Sequence, residues 1–138
     1  LIHDRLKTYA EVEDQIEYFY SPPKYDADLL ILKKSTVART KLALQKALAV
    51  VEKTKKITVD DIDLRLRQAA RSAALEDGEL LWAVRVALSG RAASPSTFEL
   101  LEVLGQLESI NRLKIAIKKL SQLISKLVTF SDRSTLLW

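Results

Sequence analysis

Leu80-Leu81-Trp82-Ala83-Val84-Arg85-Val86-Ala87-Leu88-Ser89-Gly90-Arg91-Ala92-Ala93-Ser94-Pro95-Ser96-Thr97-Phe98-Glu99-Leu100-Leu101-Glu102-Val103-Leu104-Gly105 reads as two helices and the corner between them. Leu81, Val84 and Leu88 recur at spacings of three and four, the period of one helical face. Gly90 stops that helix, because a residue without Cβ closes a helix end at little cost. Ser94-Pro95 starts the next, with a hydroxyl at the N-cap and proline in the first turn. Leu100, Leu101 and Leu104 give this short helix its core face, and Gly105 ends it.

Beyond Gly105, the residues Ile110, Leu113, Ile117, Leu120, Ile124 and Leu127 are spaced 3, 4, 3, 4, 3, an a/d heptad stripe on a long final helix. Before Leu80, Glu76-Asp77-Gly78 is the clearest internal turn. Helices are expected from Thr58 to Leu75, where Thr58-Val59-Asp60-Asp61 resembles a capping box, and from Thr36 to Lys53. A short helix is expected at Asp26–Lys34, and another from Asp4 to Tyr20, ended by Ser21-Pro22-Pro23. No stretch reads as a strand. The expected fold is all-α: a two-subdomain helical cage of about seven helices, with residues 1–77 and 78–138 as the subdomains.

Composition narrows the chemistry. The 138 residues include no cysteine, which excludes disulfides, thiolate metal sites and cysteine catalysis. Glycine occurs only at positions 78, 90 and 105, so there is no glycine-rich phosphate loop. The single histidine, His3, lies near the start and reads as a surface residue. Asp60, Asp61 and Asp63 could in principle hold a hard cation, but acids at a helix start are stabilised without one. No catalytic residue and no metal site is expected. No apolar run approaches a membrane span. The net charge of +4 resides in residues 106–138, which hold six basic against two acidic side chains. That balance permits phosphate contacts and is equally that of a solvated basic helix face. The chain has no methionine and opens mid-pattern at Leu1-Ile2-His3-Asp4, as expected of a piece of something larger.

The stretch from Arg85 to Gly105 resembles the anticodon-binding region of bacterial glutamyl-tRNA synthetases. Their pattern is Leu-Arg-x-Ala-Leu-Thr-Gly, then Ser/Thr-Pro, then Phe-Glu-x-Leu-x-x-Leu-Gly. Arg85, Ala87, Leu88, Gly90, Ser94, Pro95, Phe98, Glu99, Leu101, Leu104 and Gly105 fall in place, while Val84 stands where a leucine is usual. Arg5-Leu6-Lys7-Thr8 looks like the Arg-x-Lys-Thr that opens the region, and Tyr18-Phe19-Tyr20 with Tyr25-Asp26 resembles its aromatic-then-Tyr-Asp stretch. The resemblance covers roughly residues 4 to 120.

The resemblance implies recognition of the tRNA-Glu anticodon by Arg5, Arg85, Ser94, Pro95 and Thr97. It implies no cofactor in this chain, since ATP and magnesium belong to a catalytic domain whose His-x-Gly-His and Lys-Met-Ser-Lys-Ser type motifs do not occur here. It further implies a cytoplasmic monomer that binds neither DNA nor membrane. On the residues alone, Arg85 could instead pair with Glu79 or Glu99, and Ser94 could be only an N-cap. A helical protein-interaction module and a non-catalytic tRNA-binding paralogue remain as other readings.

Overall fold

A computed structural model describes residues 22–91 and 96–136, with side chains described as far as residue 126. The expected helix from Asp4 to Tyr20 lies outside the described residues, as do Arg5, Ser94 and Pro95. A 3-10 turn at Ala27–Leu30 precedes four α-helices: α1 (Val37–Lys53), α2 (Val59–Ser72), α3 (Asp77–Ser89) and α4 (Thr97–Leu136). No strand occurs among the described residues.

The all-α class is as expected; the count of about seven helices is not met. Two features account for most of the difference. The Asp26–Lys34 segment closes only i→i+3 bonds, Leu29 to Asp26 and Ile31 to Asp28, and Lys34 takes a left-handed φ of 73°. The helices expected on either side of Gly105 are present as two helical stretches that meet at a kink, with Gly105 at φ 80°, ψ 174°, and are numbered together as α4. That conformation is open essentially to glycine alone.

The apolar periodicity becomes a shared core. Thr40, Ala43, Leu44, Ala47 and Val51 form the buried face of α1, and Ile62, Leu66 and Ala70 that of α2. From α4 come Leu100, Leu101, Leu113, Ala116 and Leu120. Helix α3 is buried nearly all round, with Leu80, Ala83, Val84, Val86, Ala87 and Leu88 in the core, as an apolar helix at the centre of a bundle must be. One cluster draws on residues from both sides of the Glu76-Asp77-Gly78 segment. That segment is a helix start rather than a free turn. Asp77 and Gly78 are the first residues of α3, and the Glu79 carboxylate accepts the Glu76 N–H at 2.8 Å. The capping box expected at Thr58 does not form: its side chain makes no cap bond.

Helix α4 caps termini of the other three. Glu102 accepts the Val59 N–H at the start of α2 (3.0 Å). The Gln106 amide donates to the carbonyls of Val51 and Glu52 at the end of α1 (3.1 Å each). Arg112 donates to the carbonyl of Leu88 at the end of α3 (2.6 Å). These bonds fall on the backbone groups of helix ends, where intrahelical partners run out; the Val51 carbonyl also accepts the Thr54 N–H. No helix among the described residues is long and apolar enough to cross a membrane.

Candidate nucleic-acid interface

The corner between α3 and α4 holds the described candidates. Gly90 closes α3 in the left-handed conformation, φ 73°, and its N–H donates to the Val86 carbonyl at 2.7 Å. A side chain there is doubly excluded, because a Cβ would stand 2.6 Å from Cβ of Pro23. The chain therefore turns sharply at Gly90 with the Pro23–Tyr25 segment packed against it.

Arg85 lies one turn before that corner and is partly exposed. Its guanidinium pairs with neither of the two acids that the sequence offers. Glu79 is buried at 6% exposure and already held: Arg39 donates to both of its carboxylate oxygens and the Ser35 hydroxyl to one, at 2.8 Å. The Arg39 hydrogen bonds pull the Glu79 pKa down to about 2 against the opposing effect of its burial, with help from the Glu76 N–H and Ser35. Glu99 makes no ion pair with Arg85. Among the described residues Arg85 thus keeps its side-chain donors unspent.

Thr97 is buried, at 4% exposure, and its hydroxyl donates to the Leu81 carbonyl at 2.9 Å. Leu81 and Arg85 are four residues apart on α3, so Thr97 is anchored one turn from Arg85. Its hydroxyl proton is used inside the fold. The corner's further donors are the Thr97 and Phe98 N–H groups of the first turn, which have no backbone partner within the helix. The cap of α4 is Ser96, whose hydroxyl accepts the Glu99 N–H at 3.3 Å, rather than the expected Ser94. Phe98 fixes the helix start from the other side, its ring lying 5.7 Å from the Arg67 guanidinium.

The sequence puts Arg112 on a solvated basic face, and the structure corrects this: it is 1% exposed. Besides capping Leu88, it donates to the Glu108 carboxylate, one turn earlier on its own helix, at 2.8 Å. Its signal in the sequence is faint: it directly precedes Leu113 of the apolar stripe, on the buried side of the helix. Of the acids at the start of α2, Asp61 and Asp63 pair with Arg65 and Arg67 one turn on. A cleft of about 290 Å³ lies between α4 and the 3-10 turn, where Lys119 donates to the Tyr25 carbonyl (2.9 Å) and stands 4.5 Å from its ring.

The family model for the anticodon binding domain matches residues 1–117. The chain is 31% identical over 129 residues to the glutamate–tRNA ligase of Clostridium tetani, covering 91% of this chain and 26% of that protein. It is 35% identical over 122 residues to the glutamate–tRNA ligase of Roseiflexus castenholzii, covering 88% and 24%. The crystal structure of a glutamate tRNA ligase from Elizabethkingia meningosepticum, in complex with its amino acid, superposes with a TM-score of 0.73 at 20% identity. That match covers 87% of this chain and 24% of the other, and it shows a shared fold. The chain spans about a quarter of the length of the curated relatives it matches. With the helical corner in place and residues 1–117 matched, the chain belongs to the anticodon-binding domain family.

Proposed function

We propose that this chain reads the anticodon of tRNA-Glu as the carboxy-terminal part of a glutamate–tRNA ligase. The observation that carries the reading is Arg85: a partly exposed arginine, on a rigid buried helix, with its donors unspent beside a helix start. Loop bases are recognised on their exposed edges by such donors. Arginine offers five in a fixed fork, and the free N–H groups at the start of α4 add main-chain donors to the same corner. Ser94, Pro95 and Thr97 line this corner in the proposal. Arg5 reads the last anticodon base from the amino-terminal subdomain, residues 1–77. ATP and magnesium act in a catalytic domain outside this chain, in a cytoplasmic, monomeric enzyme that contacts neither DNA nor membrane.

Substitution of the arginine tests this. Arg85→Ala should weaken binding to a tRNA-Glu anticodon stem-loop by about 1–3 kcal/mol, by analogy with bidentate arginine–base contacts. The melting temperature should hold, since the side chain has no ion pair among the described residues to lose. Unchanged affinity would make Arg85 a structural residue and defeat the reading.

A further inference from the structure

The cleft between α4 and the 3-10 turn brings opposite charges together without letting them meet. Asp26 and Asp28 line it from the turn, Lys119, Gln122 and Lys126 from α4, and Tyr25 completes the lining. Among the described residues neither aspartate forms an ion pair, and Asp26, at the head of the turn, makes no side-chain cap bond. Lys126 likewise has no ion pair there, and Lys119 spends one of its three donors on the Tyr25 carbonyl. Asp26, Asp28, Gln122 and Lys126 are exposed, so a group carried by a larger molecule can enter from solvent. At about 290 Å³ the cleft is small for a ligand site and suits one compact polar unit.

Two features indicate what carries that unit. Lys114, Lys118, Gln122 and Lys126 recur at intervals of four and form one exposed row along α4. No acid occurs from residue 109 to residue 126, so the row stays positive beyond the cleft, as suits a polyanion that continues past it. The cleft is also joined to the corner that holds Arg85. The Tyr25 ring centre lies 4.5 Å from Lys119 Nζ, and its edge comes within 3.4 Å of where a Cβ on Gly90 would stand. Gly90 closes the helix that bears Arg85.

We propose that this cleft holds one ribose-phosphate unit of the tRNA backbone, with Lys119 and Lys126 on the phosphate and Asp26 or Asp28 accepting the 2′-hydroxyl. The inference rests on the reading that this chain binds tRNA. Backbone phosphate calls for cationic donors. A carboxylate repels phosphate but accepts strongly from a hydroxyl. The two walls of the cleft thus match the two polar groups of one backbone unit. The contact reads the sugar and not the base, and the 2′-hydroxyl is what separates RNA from DNA. Lys114 and Lys118 meet neighbouring phosphates.

The experiment uses the full-length polypeptide and the tRNA-Glu anticodon stem-loop, made as RNA and as a series with a single 2′-deoxynucleotide at each position in turn. The unaltered protein, Asp26→Ala/Asp28→Ala, Lys126→Ala and Arg85→Ala are compared by anisotropy and thermal melting. In the unaltered protein at least one deoxy position should weaken binding by about tenfold, as for a lost hydrogen bond to a charged group. The double aspartate variant should erase that penalty. Loss of two negative charges alone would strengthen binding of every stem-loop alike, so the ratio of RNA to deoxy affinity is the readout. Lys126→Ala should weaken all the stem-loops and make the fall of log K with log salt shallower by about 0.7–0.9. Melting temperatures should hold, since these side chains have no ion pair among the described residues to lose. If no stem-loop binds, the proposed function and this inference both fail. If Arg85→Ala keeps the preference for the tRNA-Glu loop over an unrelated loop on the same stem, the anticodon reading fails, while the sugar contact still stands or falls by the deoxy series. If Arg85→Ala loses that preference but no deoxy penalty depends on the two aspartates, or Lys126→Ala leaves the salt dependence unchanged, the inference alone is overturned.

Discussion

Arg112 Nη1 stands 2.6 Å from the carbonyl oxygen of Leu88, which places a fully buried guanidinium on the end of the central helix. The positive charge complements the negative end of the α3 dipole. Its own counter-charge is Glu108, part exposed and one turn away.

Truncating that arginine should cost much of the domain's stability. Arg112→Ala leaves the Leu88 carbonyl without its capping donor and opens a cavity, a loss on the order of 3–5 kcal/mol as for a broken buried pair. Glu108→Gln removes only a half-exposed partner and should cost about 1 kcal/mol or less. Urea unfolding of the two variants checks the order, and equal small losses would show that Arg112 does not hold α3.

The two left-handed glycines should respond differently to alanine. At Gly90 the new Cβ meets Pro23 at 2.6 Å, whereas at Gly105 it enters open space. Gly105→Ala therefore carries only the backbone penalty, of roughly 1–3 kcal/mol. Gly90→Ala adds displacement of the Pro23 segment to a left-handed penalty of about 1–2 kcal/mol. Thermal melting reads the stability losses, and only Gly90→Ala should also weaken anticodon stem-loop binding, because it disturbs the corner.

Acid should undo the Arg39–Glu79 tie between α1 and α3. The folded Glu79 carboxyl sits at about 2 against its ordinary 4.5. A lowered folded value means that the stabilisation is complete above about pH 4.5 and is lost as pH falls toward 2. Glu79→Gln should lower stability at neutral pH by about 1–3 kcal/mol, as the charge-assisted bonds weaken. Denaturation midpoints from pH 7 to pH 2 should fall less steeply in the variant; parallel curves would contradict the assignment.

Arg5 should separate tRNA-Glu from tRNA-Gln. Their anticodons end in C and G, and a donor-only side chain suits the acceptors on cytosine's edge while leaving guanine's donors unpaired. Competition between stem-loops differing only in that base should favour C, and Arg5→Gln should narrow the gap by about 1–3 kcal/mol. Equal affinities in the unaltered protein would remove Arg5 from discrimination.

Features determined by neighbours along the chain are legible in the sequence. The existence and extent of α1 and α2, the stop at Gly90 and the core role of Leu113 and Leu120 are of this kind. Contacts across long separations are not legible. Thr58 is the expected cap of α2, yet the donor at that end goes to Glu102, 43 residues away. In sequence Arg85 can pair with Glu79 only because nothing there marks Arg39, 40 residues before that acid, as its partner. Arg112 resembles the lysines around it until the fold buries it. Ser96 rather than Ser94 caps α4, a shift of two residues within a run where serine recurs.

A chain grows from its amino terminus, and α4 comes last among these helices. The Val51 carbonyl waits 55 residues for Gln106, the Val59 amide 43 for Glu102, and the Leu88 carbonyl 24 for Arg112. During synthesis the first two helices therefore leave the ribosome with their local caps alone, such as Thr36 at the start of α1 and the Thr54 N–H at its end. Their packing matures when the final helix arrives, so an interruption before Gln106 would leave a nascent chain with apolar faces formed and nothing to lock them.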